Sequence, residues 1–190
     1  LPLLLNLKAF AATLDVCAST CTYSTIQAAV NAAGTGDIIT VGAGTYTEDV
    51  TVNKPVSIVG AGAANTTITA TDANSTPLTF ATSGATVSGF TLTHDYSPAD
   101  LSTWNFNNNG VAFNQSANGN TLEDSTVSLN RNGVYINNAQ NNVIIGDTIT
   151  NNRTGINLVN NFGGTKITGN NISNNWTLEI VMNSATATLR

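Results

Sequence analysis

The sequence predicts an all-β fold, a right-handed single-stranded parallel β-helix of 22–23-residue coils with a short N-terminal capping helix. Three observations predict it. From Gly110 to Trp176 one pattern occurs three times in succession, as GVAFNQSANGNTLEDSTVSLNRN, GVYINNAQNNVIIGDTITNNRT and GINLVNNFGGTKITGNNISNNW. Each copy carries three short apolar strands at matching offsets, too short to bury themselves, so equivalent strands must stack about 4.8 Å apart in parallel. Each copy also places an asparagine at the same turn, Asn130, Asn152 and Asn175. Amides stacked in this way hydrogen-bond along the axis, as in cross-β stacks.

Within the copies, the first strand alternates apolar-in and variable-out: Val111 and Phe113, Val134 and Ile136, Ile156 and Leu158 point inward, and Ala112, Tyr135 and Asn157 outward. Leu122, Ile144 and Ile167 mark the second strand, and Val127, Ile149 and Ile172 the third. One residue past the asparagines, Arg131, Arg153 and Trp176 form a column that belongs outside, because stacked like charges repel unless solvated; Trp176 can cover the neighbouring guanidinium.

At the start of the chain, LPLLLNLKAF has two readings. Ala9-Phe10-Ala11 has the small-x-small form of a signal-peptide cleavage site, which makes residues 1–11 a secretory remnant. Alternatively the run is an ordered strand with Leu5, Leu7 and Ala9 on one face and Asn6 and Lys8 on the other, and Leu3, Leu5 and Leu7 are its candidate assembly contacts. The run is far too short to span a bilayer. Residues 12–190 then form a single β-helix domain, with its repeats clearest over 110–190.

Cys17 and Cys21 lie in CASTC, with His94 the sole histidine of the chain, so zinc lacks ligands and a local disulfide is expected. In YSTIQAAVNAAGTGD, Ser24 and Gln27 read as a capping box, Ile26, Val30 and Ala33 as an apolar face and Gly34 as a stop, giving a helical cap over 24–34. Strands follow near Ile38–Val41, Val50–Val52 and Val56–Val59.

The run from Tyr23 to Gly62 resembles the entry segment of secreted right-handed β-helix proteins of the pectate-lyase-like superfamily, in which a helix plugs the N-terminal end of the solenoid. The resemblance extends over nearly the whole chain from Ala12 and implies the fold, but function only as a range: polysaccharide lyases, glycoside hydrolases, pectin esterases, tailspikes and adhesins. The lyases and hydrolases of that superfamily would need a base beside a Ca²⁺ site, or converging carboxylates. This chain has 11 acids; Glu123, Asp124 and Asp147 come closest in the stack, and the third copy has no carboxylate there. Arg131 or Arg153 would be the candidate lyase base. Turn aspartates that satisfy backbone amides are the commoner arrangement. The expectation is therefore no catalytic residues, no metal and no cofactor.

Charge narrows the partners. Only 9% of residues are charged, the net charge is −5 and there are six Lys and Arg, which argues against nucleic acid. Asparagine, at 28 copies, is the dominant polar residue. Between Leu92 and Gly110 an insertion, THDYSPADLSTWNFNNN, carries Tyr96, Trp104 and Phe106. Either these aromatics meet a glycan or a protein, or they fold back on the solenoid. Of the N-x-S/T sequons, Asn65, Asn74 and Asn114 stand apart from the ladder as glycosylation candidates.

After Trp176 a further copy begins, TLEIVMNSATATLR, with Leu178 and Ile180 inward and Leu189 at the spacing of the next strand. An end left uncovered exposes apolar side chains and strand edges. These features predict a secreted, extracellular or cell-surface structural protein that polymerises head to tail, its N-terminal strand covering the last coil of the next copy. A carbohydrate-active enzyme and a glycan-binding adhesin, with polysaccharide as the partner, are the alternatives.

Overall fold

The computed structural model describes residues 10–95 and 108–183. Leu3, Leu5, Leu7 and Leu189 lie outside them, as do Tyr96, Trp104 and Phe106. The chain opens with β1 (Thr13–Val16) and the helix α1 (Ile26–Ala32), and then winds through six coils of three strands. The coils are β2 (Ile38–Val41), β3 (Gly44–Thr47) and β4 (Val50–Val52); β5 (Ser57–Gly60), β6 (Thr66–Thr69) and β7 (Leu78–Phe80); and β8 (Thr86–Ser88), β9 (Thr91–Thr93) and β10 (Asn109–Phe113). They continue with β11 (Thr121–Glu123), β12 (Thr126–Ser128) and β13 (Asn132–Asn137); β14 (Val143–Ile145), β15 (Thr148–Thr150) and β16 (Thr154–Val159); and β17 (Lys166–Thr168), β18 (Asn171–Ser173) and β19 (Leu178–Asn183).

Strand pairing is parallel throughout and gives three sheets. Sheet A runs β1-β2-β5-β8-β11-β14-β17, sheet B runs β3-β6-β9-β12-β15-β18 and sheet C runs β4-β7-β10-β13-β16-β19. Winding parallel strands by short crossovers gives the right-handed solenoid that the repeat predicts. The inward positions stack into columns: Ile39, Ile58, Val87, Leu122, Ile144 and Ile167 from sheet A, and Tyr46, Ile68, Leu92, Val127, Ile149 and Ile172 from sheet B. Sheet C adds paired columns that include Phe80 and Phe113, whose rings stack at 4.5 Å. Together they form one continuous core.

The asparagine ladder is present in the predicted register. Asn130 Nδ2 donates to Asn152 Oδ1 (2.9 Å), and Asn152 Nδ2 donates to Asn175 Oδ1 (3.1 Å) and to the carbonyl of Val127 (2.9 Å). The backbone N–H groups of Asn130 and Asn152 donate to the same downstream oxygens. This explains why each copy opens on glycine. A Cβ at Gly110, Gly133 or Gly155 would lie 2.5, 2.9 or 2.8 Å from the amide nitrogen of Asn130, Asn152 or Asn175, so the carboxamide occupies the space a side chain would need.

Two expectations need correction. The helix is capped by Thr25, whose Oγ1 accepts the Ala28 N–H at 3.2 Å, and not by Ser24. Gln27 does not reach back to the cap: its Oε1 accepts the Thr51 N–H (2.7 Å), and the Glu48 carboxylate takes the N–H groups of Ile26 and Gln27 (2.9 and 3.0 Å). The first full coil thus supplies the acceptors that a capping box would have supplied locally. The second correction concerns the last coil. Ile180 sits over Ile156 and Met182 over Leu158, but Leu178 sits over Thr154, in a polar column.

Replacing Asn152 by Ala leaves the backbone N–H of Asn130 buried without its acceptor and takes one bond from the Asn130 carboxamide and one from the Val127 carbonyl, and should cost roughly 1–3 kcal/mol. Asn157, outward on β16, makes one side-chain bond of 3.2 Å to Asn132, and Asn157→Ala should cost well under half of that. Thermal unfolding of the two variants checks the register; equal shifts would contradict it.

Candidate functional site

The insertion after β9 is fastened at both stems by buried polar side chains. His94 is 2% exposed, with Nδ1 2.7 Å from Asn130 Oδ1 and Nε2 3.1 Å from the Ser75 carbonyl. The imidazole is therefore the top rung of the asparagine ladder, each ring nitrogen facing a carbonyl oxygen. Asn108, 1% exposed, returns the chain to β10. Its Nδ2 donates to the Ala73 carbonyl (2.5 Å), and its Oδ1 accepts the Arg131 N–H (2.8 Å). The aromatics predicted to make contacts, Tyr96, Trp104 and Phe106, fall in the segment between these stems.

Below the stems runs the Arg131, Arg153 and Trp176 column. Trp176 is 45% exposed, and both arginines are half-buried rather than fully outside. Burial, with the neighbouring Arg131 guanidinium adding to it, lowers the pKa of Arg153. The glycosylation candidates Asn65, Asn74 and Asn114 are all exposed, whereas Asn152 is fully buried in the ladder. Cys17 and Cys21 form the expected disulfide, beside a shallow groove that Thr40, Val59 and Ala61 also line.

The acidic turn between sheets A and B does not converge on a point. Asp147 is 1% exposed, and its Oδ1 accepts the Ser125 N–H (2.8 Å) while its own N–H donates to Asn170 Oδ1 (2.8 Å). Ser125, Asp147 and Asn170 thus form a second ladder, and Asp147 fills the backbone-satisfying role common for turn aspartates. Its Oδ2 has no hydrogen-bond partner. Burial raises its pKa to about 7; the Ser125 N–H opposes the rise, and the charges of Asp124 and Glu123 add to it.

Because this carboxyl is easier to ionise unfolded than folded, its contribution turns against the fold as pH climbs from about 4 through about 7. Asn170, one coil on, shows that an amide fits the position, its Nδ2 donating to the Ile144 carbonyl at 2.8 Å. Asp147→Asn should therefore raise the melting temperature at pH 8 by several degrees, on the order of 2 kcal/mol, and leave it nearly unchanged at pH 4. Melting curves at the two pH values check this.

Comparison with known proteins follows the architecture. A family model described as periplasmic copper-binding protein (NosD) matches residues 24–189. No curated protein matches the chain. Among solved structures, ORF18 of Geobacillus virus E2 superposes with a TM-score of 0.59 at 21% identity, covering 75% of this chain and 31% of that one. Pectin methylesterase PemA from Erwinia chrysanthemi gives 0.57 at 14% identity, with coverage of 85% and 62%. A pectin methylesterase in complex with hexasaccharide VII gives 0.58 at 14%, with coverage of 85% and 62%. The chain spans less than two thirds of the length of each. At such identities the likeness establishes the shared parallel β-helix.

The copper implied by the family description does not fit the described residues. Copper sites are built from imidazole, thiolate and thioether donors. Both nitrogens of the chain's one histidine face carbonyl oxygens, both cysteines are joined in the disulfide, and Met182 packs against the core. Among the described residues no three His, Cys, Asp or Glu side chains gather as a metal site. The family match rests instead on the coils, running from the start of the capping helix through the last strand, and by that match the chain belongs to the NosD family.

Proposed function

We propose that this chain is a non-catalytic structural module outside the cytoplasm that stacks head to tail with copies of itself. The observation that carries the reading is the state of the last coil. β17, β18 and β19 each stand at the end of their sheets, presenting backbone groups without a neighbouring strand among the described residues. On the same coil Leu178 is 51% exposed and Ile180 42% exposed, where the equivalent Ile156 of the preceding coil is fully buried. Open edges beside apolar surface are a template for another strand.

The opposite end differs. There α1 packs against β1, β2 and β4, with Ile26 and Val30 fully buried. Two unlike ends favour a heterologous contact, which propagates into a fibre when the rotation does not close. The sequence of residues 1–10, in which Leu3, Leu5 and Leu7 recur at every second position, has the pattern suited to cover Ile180 and Leu178 of the next copy. The disulfide and the periplasmic family support a location outside the cytoplasm, periplasmic or extracellular.

A second reading, polysaccharide binding, is favoured by the insertion, both of whose stems are held by buried side chains, His94 and Asn108. Trp104 would then stack on a sugar face.

Negative-stain electron microscopy separates the readings. The intact chain should form filaments of uniform width, and both deletion of residues 1–10 and Ile180→Lys should abolish them. Regular filaments from the truncated chain would remove the strand as linker, and monomers at all concentrations would overturn the assembly. Retardation of the intact chain in a polysaccharide gel, lost in Trp104→Ala, would mark the second reading instead.

A further inference from the structure

The outer face of sheet B is a two-dimensional lattice of hydroxyl groups. Each of its strands presents two outward side chains around one inward apolar residue: Thr45 and Thr47, Thr67 and Thr69, Thr91 and Thr93, Thr126 and Ser128, Thr148 and Thr150, and Asn171 and Ser173. The register is unbroken, so Thr45, Thr67, Thr91, Thr126, Thr148 and Asn171 make one column and Thr47, Thr69, Thr93, Ser128, Thr150 and Ser173 the other. Eleven of these twelve side chains carry a hydroxyl, nine of them on threonine, and none is charged.

Strand propensity alone does not account for this face. Threonine suits any half-exposed strand surface, yet the other two faces of the same solenoid are mixed. The outward columns of sheet A include Asp15, Val59, Glu123, Ile145 and Lys166, and that of sheet C reads Thr51, Thr79, Ala112, Tyr135, Asn157 and Val181. The regularity is confined to sheet B.

Three features organise the lattice. Rungs repeat at about 4.8 Å, and the two hydroxyls of a rung lie two residues apart, at about 6.6 Å. The Ser125, Asp147 and Asn170 ladder borders β12, β15 and β18 on one side, and the Asn130, Asn152 and Asn175 ladder borders the same three strands on the other. Threonine is stiff about χ1, which limits the orientations its methyl and hydroxyl groups can take. The hydroxyls of Thr91 and Thr93 donate to the carbonyls of Ala63 and His94 (2.7 and 3.1 Å), and that of Ser173 to Asn171 Oδ1 (3.0 Å). Among the described residues the hydroxyls of Thr45, Thr47, Thr67, Thr69, Thr126, Ser128, Thr148 and Thr150 find no hydrogen-bond partner, which leaves them to water.

A surface periodic in two directions, uncharged and built of alternating methyls and hydroxyls complements a solid with the same repeat. It offers neither the aromatic platform nor the clustered amides and carboxylates with which proteins grip an individual sugar. Its spacing along the columns is close to one oxygen repeat on a prism plane of hexagonal ice, and its spacing across a rung is about a tenth shorter than the other. We propose that sheet B is an ice-binding face, its ordered hydration layer continuing into the lattice of an ice crystal.

The test uses the purified full chain in buffered water at subzero temperature, reading ice-crystal shape, thermal hysteresis and inhibition of recrystallisation. The intact chain should facet single ice crystals and hold grain size constant. Thr126→Lys combined with Thr148→Lys, in the centre of the face, should cut the recrystallisation activity by about tenfold or more. The control pair Thr121→Lys with Val143→Lys, outward on sheet A, should leave it intact, and unchanged melting temperatures for both pairs show that each is folded. Unfaceted growth with the intact chain, equal loss in the two pairs, or preferential adsorption to microcrystalline cellulose over ice would each overturn the assignment. If the chain also forms filaments, an intact chain held monomeric by Ile180→Lys should still facet ice, which keeps this result separate from assembly.

Discussion

The structure depends on hydrogen-bonded side-chain ladders at the corners of the coils. A strand of three residues contributes one buried apolar side chain per sheet, too little to choose between registers, and parallel pairing tolerates slips. The corners remove that freedom. At one of them Asn130, Asn152 and Asn175 pass their amides down the axis, beginning at His94 and ending on the Glu179 carboxylate. At another Ser125, Asp147 and Asn170 do the same through backbone N–H groups, and at a third Asn120 and Asn142 receive those of Ala85 and Asn120. A shift of one residue would leave every one of these buried groups without a partner, at a cost of a kilocalorie or more each. The core packs because the corners hold, and the glycines that open the copies exist to admit the ladder amides.

This constraint explains what was legible in the sequence. Where the ladder side chains are asparagines at constant spacing, from Gly110 onward, strands, register and inward residues could be read directly, down to Leu122 over Ile144 over Ile167. Between Gly62 and Leu92 the coils are the same, but their corners use other groups, such as Asp49 with Thr71 and Ser75, so no repeated letter marks them. The cap was misplaced by one residue for a related reason. Its acceptor, Glu48, is 22 residues from Ile26 in sequence and one coil away in space.

The candidate sites were legible to a lesser degree, because side chains of one chemical type serve two purposes here. His94, the sole histidine and part of the insertion's stem in sequence, serves as the first rung of a ladder. Asp147 lies near Glu123 and Asp124 in the stack, yet it does what turn aspartates commonly do, accepting a backbone amide while buried. The threonines of sheet B carry a signal of their own: Thr-x-Thr recurs at Thr45, Thr67, Thr91 and Thr148, visible once strands are aligned by coil rather than by the asparagine repeat.

Repetition and catalysis make opposite demands on a solenoid. Hydrolysis of an ester or a glycosidic bond gathers unlike groups at one point, each tuned by its neighbours. Stacked equivalent coils instead place like beside like, so any outward position becomes a column, and a column of charge repels itself unless dispersed. The described surface follows the second logic, with hydroxyls in columns on sheet B and a column of Arg131, Arg153 and Trp176 in which the third rung is uncharged. Membership of the NosD family is accordingly carried by the scaffold, and not by a set of copper donors among the described residues.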